Sequence, residues 1–214
     1  DKKPLEYSLR NESFLKLWSP KVRTIFESLY RKDYFEDQIF KCSVLWGDAR
    51  EKIKIIPSSI KFDLIYLDGF SPQKCPQLWT IEFLSKVTEK LNSQGYLITY
   101  SSSAAVRKTL RNLGLEIFTI KPSFKNRTFW SQGTVAISKF DKNKLKPNFN
   151  FEKLSLMEEE HLMTKASTPY RDQDLNSSKD DIIKRRLDEQ LFSNLLSTKK
   201  WREKWGMTKL SVKS

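Results

Sequence analysis

A short apolar run that ends in a turn-rich loop constrains the fold of this chain more than any other feature. Asp63 is followed by Leu-Ile-Tyr-Leu, and the chain then enters Asp68-Gly69-Phe70-Ser71-Pro72. An apolar run of this length, bounded by polar residues, predicts a buried parallel strand. Because the residues after it are turn formers, the sequence predicts a strand that ends at a loop beginning with Asp68.

Other segments with strand character alternate with helical segments over residues 1–138. Further strands are predicted at 40–46, 96–100, 115–120 and 134–138. Pro76 opens a helix with an apolar face, and Ser101-Ser102-Ser103 caps another helix that ends at Gly114. This alternation predicts an α/β domain with a mostly parallel sheet. The last two strands lack a helix between them and are expected to form an antiparallel hairpin at the sheet edge.

The character of the chain changes near residue 139. Residues 139–168 are predicted as a linker, and residues 169–214 as a basic helical C-terminal extension. In that extension a charged helix is expected from Ser177 to Leu195, and a shorter one carries Trp201 and Trp205. The residues of the first helix that are expected to face inward are Ile182, Ile183, Leu187, Leu191 and Leu195.

The charge balance favours a polyanionic partner. The chain has 39 Lys and Arg against 26 Asp and Glu, a net charge of +13. Such a surplus suits nucleic acid or an anionic membrane surface, and the alternative is a well-solvated surface. Lys121, Lys125 and Arg127, with Phe129 and Trp130, form a basic aromatic loop between the last two predicted strands. Hydrophobic residues make up 38% of the chain, which argues against global disorder.

The cysteine and histidine counts exclude several kinds of site. Cys42 and Cys75 are the two cysteines, and their spacing indicates neither a disulfide framework nor a zinc site. The single histidine, His161, lies in a polar stretch, so serine–histidine or cysteine–histidine catalysis is not expected. No apolar run approaches the roughly 20 residues of a membrane span, and no signal segment opens the chain. A cytoplasmic location without membrane or metal is expected.

Polar residues at the predicted strand ends are the candidate site. In open α/β sheets, ligands bind outside the carboxyl ends of the strands, where Asp48, Asp68 and the Ser101–Ser103 cluster should converge. We expect Asp68 to be functional, the alternative being a turn cap, whereas Asp48 is equally compatible with capping the next helix. Phe70 suits stacking on a flat ring, and Lys74 suits a phosphate contact or an ordinary surface position.

The residues around Asp68 carry a family resemblance. Leu67-Asp68-Gly69-Phe70-Ser71-Pro72, followed by Lys74, Pro76 and Leu78-Trp79, resembles the central signature of the tRNA 5-methylaminomethyl-2-thiouridine methyltransferases, stand-alone forms included. Gly47-Asp48-Ala49 lies at the matching upstream strand end, Thr99–Arg107 resembles the next strand–helix junction, and Gly133–Ala136 resembles the final strand. The resemblance therefore covers roughly residues 1–138. The C-terminal extension resembles that of cyanobacterial-type members.

This resemblance implies a fold, a cofactor and a reaction. The fold would be the Rossmann-like class I methyltransferase fold, and the cofactor S-adenosylmethionine. The reaction would be methyl transfer to the amine of an aminomethyl group on a wobble uridine in tRNA. Asp68 would be catalytic, because a carboxylate within hydrogen-bond reach can orient an amine and accept its proton. Gly47, Asp48, Ala49, Phe70 and Ser101 would bind the cofactor; Lys74, Lys121, Lys125 and Arg127 would contact tRNA.

One part of such a fold is not found in this sequence. A nucleotide-binding α/β domain opens with a strand, a glycine-rich turn and a helix, but the 6 glycines here form no Gly-x-Gly turn near the start. We therefore expect the domain to be N-terminally incomplete, to bind cofactor poorly and to expose an apolar sheet edge. The alternatives are a truncated reading frame, a non-catalytic RNA-binding remnant, or a half-enzyme completed by a partner chain. An unrelated flavodoxin-like or dehydrogenase-like domain is less favoured.

Overall fold

The computed structural model describes residues 1–121, 131–138 and 150–207 of the chain. The chain divides into two compact units, Asp1–Ile55 and Ile56–Ser214. This boundary lies within the segment that the sequence assigned to one α/β domain.

The first unit is mostly helical and contains a small sheet. Its elements are the helices α1 (Lys3–Leu9), α2 (Glu12–Lys16), α3 (Pro20–Lys32) and α4 (Ala49–Ile55), and the strands β1 (Tyr34–Glu36) and β2 (Lys41–Ser43). α3 begins where the Ser19 side chain accepts a hydrogen bond from the Val22 amide, and Pro20 is its first residue. The strand predicted at 40–46 is shorter, and it pairs antiparallel with β1 instead of joining a parallel sheet.

The second unit contains a five-stranded sheet flanked by helices. Its strands are β3 (Phe62–Tyr66), β4 (Leu91–Thr99), β5 (Glu116–Ile120), β6 (Thr134–Ile137) and β7 (Phe151–Lys153). Its helices are α5 (Ile81–Thr88), α6 (Ala104–Asn112), α7 (Leu156–His161), α8 (Lys179–Phe192) and α9 (Thr198–Lys204), with 3-10 helices at Pro76–Trp79 and Lys165–Ser167. This is the mixed α/β architecture expected of a Rossmann-like fold.

The strand order of this sheet is β3-β4-β6-β5-β7. β3 is parallel to β4, and β6 is antiparallel to both β4 and β5, so β3, β4 and β5 run in one direction. The predicted antiparallel hairpin of β5 and β6 is confirmed, but its place differs from the prediction. β6 lies between β4 and β5, and the edge position belongs to β7, a strand from the segment predicted as a linker.

The core of the second unit forms where α5 and α6 pack near the central strands. Phe83, Leu84 and Val87 of α5 are buried, as are Val106 and Leu110 of α6. α5 begins where the Thr80 side chain accepts a hydrogen bond from the Phe83 amide. The helix ends at Thr88, and Leu91 begins β4.

β3 is more exposed than its sequence predicts. Among the described residues, its only strand partner is β4. The side chains of Phe62, Leu64 and Tyr66 are 40%, 43% and 70% exposed. The prediction of a buried strand is therefore wrong for these residues, although the strand exists and is parallel. Within the part of the chain that the structure describes, the other edge of this apolar strand has unpaired backbone groups that another strand can pair with.

The segment after β7 packs against the α/β core instead of extending away from it. Thr80 and Tyr170 form a parallel bridge, and the Asp172 amide donates to the Glu82 carboxylate at 2.8 Å. Tyr170 and Trp201 are 5% and 6% exposed. The described part of the predicted linker thus contains β7, α7 and a 3-10 helix, and the extension belongs to the same compact unit.

α8 does not bury the face that its sequence predicts. Ile182 near its start is fully buried, whereas Leu187, Leu191 and Leu195 are exposed. The helix contacts the 3-10 helix Pro76–Trp79, which is only one turn long. The prediction of an inward-facing apolar row is wrong for these three leucines. The later part of α8 contacts the preceding segment through Arg186 and Gln190, which donate to backbone carbonyls of residues 165–168. Leu195 lies beyond the end of the helix at Phe192.

His161 gives the fold a measurable dependence on pH. Its ring stacks on Trp201 with 4.1 Å between centroids, and burial, followed by the charges of Arg107 and Arg202, lowers its pKa from 6.5 to about 4. In the unfolded chain His161 is therefore protonated below about pH 6.5, whereas in the native state it is protonated only below about pH 4. The stabilisation is complete above pH 6.5 and is lost as the pH falls through this window.

We expect the free energy of unfolding to fall by about 1–2 kcal/mol between pH 7 and 4.5, a figure reduced for the partial exposure of the ring. Urea unfolding at both pH values measures this change in the free energy of unfolding. His161 is the only histidine, so H161F, which keeps an aromatic ring on Trp201, should remove most of this pH dependence. An equal loss of stability in wild type and H161F would contradict the assignment.

Candidate active site

Asp68 lies immediately beyond the parallel ladder of β3 and β4. The Leu67 amide still donates to the Ile98 carbonyl at 2.9 Å, which extends the pairing one residue past Tyr66. The Asp68 side chain is exposed. Its carboxylate is therefore accessible at the carboxyl end of the sheet, where ligands bind in open α/β folds.

Two side chains hold the backbone of the Asp68 loop, which comprises residues 68–75. The Tyr100 hydroxyl donates to the Gly69 carbonyl at 2.8 Å, and the Trp79 indole donates to the next carbonyl, that of Phe70, at 2.7 Å. Trp79 is fully buried and meets the Tyr100 ring edge-on at 6.4 Å between centroids. The loop backbone is thus fixed by contacts that do not involve the Asp68 carboxylate.

The middle of the Asp68 loop is a compact turn. The Ser71 carbonyl accepts hydrogen bonds from the amides of Lys74 and Cys75, at 2.8 and 2.9 Å, and Pro72 is buried. Lys74 itself is exposed, and the Phe70 ring is 76% exposed. Both side chains are available to a ligand, so the phosphate contact of Lys74 and the stacking role of Phe70 stay predictions that the geometry permits.

The carboxyl end of β4 is a tightly bonded turn. The Ser101 amide donates to the Thr99 hydroxyl at 3.1 Å, and the Ser103 amide donates to the Ser101 hydroxyl at 3.4 Å. The Thr134 hydroxyl donates to the Ser101 carbonyl at 2.6 Å. Ser101 is 5% exposed. Its hydroxyl therefore supports the start of α6, and its contact with a cofactor stays a prediction.

A buried arginine that no sequence motif indicates joins several elements near this turn. Arg107 of α6 is 2% exposed, and its guanidinium pairs with the Glu158 carboxylate at 2.8 Å. It also donates to Thr119, Ser131, Gly133 and Thr134. Four of its five partners lie on β5, on β6 or just before β6, so Arg107 links the β5–β6 hairpin to the C-terminal segment. Its only signal in the sequence is a charge beside Ala105 and Val106.

The charges of this pair are maintained although both groups are largely buried. Burial lowers the pKa of Arg107 below its ordinary value, and the hydrogen bond and charge of Glu158 oppose that change. Burial acts to raise the pKa of Glu158, but hydrogen bonds from Ser155 and Arg107 leave it below its ordinary value. Both groups are therefore ionised at neutral pH.

The predicted basic loop is only partly described. Lys121 directly follows β5, and its ammonium pairs with the Glu152 carboxylate at 3.0 Å. Lys125 and Arg127 lie outside the described residues, so their proposed contacts with tRNA stay predictions. The pairing of Lys121 reduces the free positive charge at the start of this loop.

Asp48 belongs to the first unit and acts there at the start of a helix. Its carboxylate accepts the Arg50 amide at 2.9 Å and pairs with the Arg50 guanidinium at 2.8 Å. The hydrogen bond from Arg50 holds the pKa of Asp48 below its ordinary value. Gly47 has a φ of +128°, which disfavours any side chain there. These contacts favour the capping alternative for Asp48; cofactor contacts by Gly47, Asp48 and Ala49 stay predictions.

Within the described ranges, no group of three or more His, Cys, Asp and Glu side chains could hold a metal ion. Over the same residues, no helix combines the length and the apolar character that crossing a membrane requires.

Comparison with known proteins identifies relatives in sequence and in structure. Residues 12–135 match a family described as S-adenosyl-L-methionine-dependent methyltransferases. An uncharacterized protein of Methanocaldococcus jannaschii is 30% identical over 175 residues, which are 80% of this chain and 44% of that protein. The tRNA 5-methylaminomethyl-2-thiouridine biosynthesis bifunctional protein MnmC of Campylobacter hominis is 33% identical over 94 residues, 44% of this chain and 14% of that protein.

The crystal structure of MnmC2 from Aquifex aeolicus is similar with a TM-score of 0.66 and 30% sequence identity. The match covers 81% of this chain and 52% of that one. The chain therefore spans about half, or less, of the length of these relatives.

Proposed function

Because this chain belongs to the family of S-adenosyl-L-methionine-dependent methyltransferases, we propose that its protein methylates the amine of an aminomethyl group on a wobble uridine of tRNA. One observation carries the proposal: the exposed carboxylate of Asp68 lies just past the β3–β4 ladder, on a loop whose backbone is fixed. The similarity to proteins named for 5-methylaminomethyl-2-thiouridine biosynthesis supports the choice of substrate.

The side chains around Asp68 fit two parts of the cofactor. Adenine is a flat ring, and the Phe70 ring is 76% exposed beside the strand end, where it can stack. The sulfonium carries a positive charge, which a nearby carboxylate stabilises. When bound, S-adenosylmethionine supplies an electrophilic methyl group. We propose that Phe70 contacts the cofactor and that Asp68 faces the reacting amine.

Asp68 has a defined chemical task in this proposal. An alkylamine is protonated at neutral pH, like the side chain of lysine, and it cannot attack a methyl group until it loses that proton. A carboxylate at hydrogen-bond distance orients the ammonium and accepts or relays the proton. The fixed loop backbone limits the positions that the carboxylate can take, which favours in-line geometry.

The surface charge supports a nucleic-acid substrate. The net charge of +13 favours binding to the phosphate backbone of tRNA. Lys74 is exposed on the same loop as Asp68, and we propose that it contacts a phosphate near the modified nucleotide. Replacement of Lys74 by Ala should weaken tRNA binding without changing the rate at saturating tRNA.

A labelled-methyl transfer assay tests the proposed function. The protein is incubated with S-adenosylmethionine labelled in its methyl group and with tRNA that carries 5-aminomethyl-2-thiouridine at the wobble position. We expect label in the modified wobble nucleoside after digestion of the tRNA. The control is the same tRNA without the aminomethyl group, and this tRNA should take up no label. Equal labelling of both tRNAs, or of neither, would contradict the proposal.

A further inference from the structure

Tyr100 contacts the Asp68 loop from the end of the neighbouring strand. It directly follows β4, and its hydroxyl donates to the Gly69 carbonyl at 2.8 Å. The side chain is 46% exposed, so its hydrogen bond is made at the boundary between the core and the proposed site. A tyrosine in this position presents a polar group where a phenylalanine would only pack.

The Gly69 peptide has little room to move. A side chain at this position would begin 3.0 Å from the Leu78 side chain, so the backbone lies close to the 3-10 helix Pro76–Trp79. The next carbonyl, that of Phe70, accepts from the buried indole of Trp79. Tyr100 therefore completes a set of contacts that fix two successive peptides directly after Asp68.

The Tyr100 phenol lies at the residue that directly follows Asp68, because it donates to the Gly69 carbonyl. Burial raises the pKa of Tyr100, and the negative charge of Asp68 raises it further, with a smaller effect from Cys75. The phenol therefore stays protonated and remains a hydrogen-bond donor throughout the physiological pH range.

We propose that Tyr100 is a positioning residue for Asp68, whose hydroxyl fixes the Gly69 peptide and thereby the direction in which the Asp68 carboxylate projects. This inference rests on the proposed function, because it assigns Tyr100 a role in the same methyl transfer. Trp79 makes a similar contact, but it is fully buried and its substitution would disturb the core. Tyr100 is the better probe, since Y100F removes one oxygen atom and keeps the ring.

The experiment compares Y100F with Y66F. Tyr66 is 70% exposed on β3, and no hydrogen bond of its hydroxyl is found among the described residues. For Y100F we expect kcat to fall about tenfold through loss of alignment, with KM for tRNA and the melting temperature unchanged. We also expect faster hydrogen exchange at the amides of Lys74 and Cys75. Y66F should match the wild type in every measurement.

Separate outcomes test the inference and the function on which it rests. An unchanged kcat in Y100F, or a lowered kcat with unchanged exchange in the loop, overturns the positioning role. A rise in KM at constant kcat also overturns it, because it would indicate a substrate contact. If the wild type transfers no methyl group, the proposed function fails. The hydrogen-exchange comparison then tests by itself whether the Tyr100 hydrogen bond holds the loop. Equal exchange in Y100F and the wild type would show that it does not.

Discussion

Replacement of Asp68 by Asn lowers the rate of methyl transfer by at least about 100-fold, the usual contribution of a positioned acid or base. Asparagine has the shape of aspartate and can still accept a hydrogen bond from the ammonium, but it cannot take the proton. The side chain is exposed and the loop backbone is held by Tyr100 and Trp79. We therefore expect D68N to fold normally and to bind tRNA with unchanged affinity.

Single-turnover rates at saturating cofactor and tRNA measure this effect, and filter binding measures tRNA affinity. D63N is the matched control, because it removes the same charge from an exposed aspartate of β3 that contacts Asn92. Its rate should stay within about twofold of the wild type, as expected for a surface change. A D68N protein as active as D63N would exclude Asp68 as the catalytic carboxylate.

Replacement of Arg107 by Ala destabilises the protein by about 3–5 kcal/mol, the cost of breaking a buried ion pair by removing one partner. The Glu158 carboxylate is left buried without its counterion. The Thr134 hydroxyl and the Gly133 carbonyl also lose their bonds to the guanidinium. Urea unfolding measures the loss, and we expect part of it to be recovered in the double variant R107M/E158L, which replaces both charges by apolar groups.

Arg111 provides the control on the same helix. It pairs with Glu159 through two hydrogen bonds, but both side chains are 36% exposed. R111A should therefore lower the free energy of unfolding by no more than about 1 kcal/mol. If R107A and R111A destabilised the protein equally, burial would not be the cause of the Arg107 effect. If R107A lost stability and R107M/E158L recovered none of it, the hydrogen bonds of Arg107 to the hairpin, and not the ion pair, would be the cause of the loss.

The sequence predicted the local features of the α/β unit well, because they depend on short-range patterns. The strand before Asp68 and the helix after Ser103 follow from apolar runs and turn formers. The strand order of the sheet could not be predicted from the sequence, because the position of β6 between β4 and β5 depends on pairings between distant residues. β7 has only three residues in a polar segment, too few for a periodic pattern.

The sequence predicted the position of Asp68 but not the contacts that support the surrounding turns. Asp68 lies at a strand end, as predicted, because the change from an apolar run to a carboxylate is a local signal; its catalytic role stays a prediction. The Arg107–Glu158 pair joins residues 51 positions apart, and no spacing rule connects them. Asp48 shows the reverse case: its partner, Arg50, is two residues away, and the local pattern already allowed the capping role that the structure shows.

A crystal structure of the protein with S-adenosylhomocysteine tests the central claim most directly. The account predicts that the sulfur of this ligand lies beside the Asp68 loop at the carboxyl ends of β3 and β4, with the adenine against the Phe70 ring. A ligand bound at another face of the sheet, with Asp68 remote from its sulfur, would contradict the account.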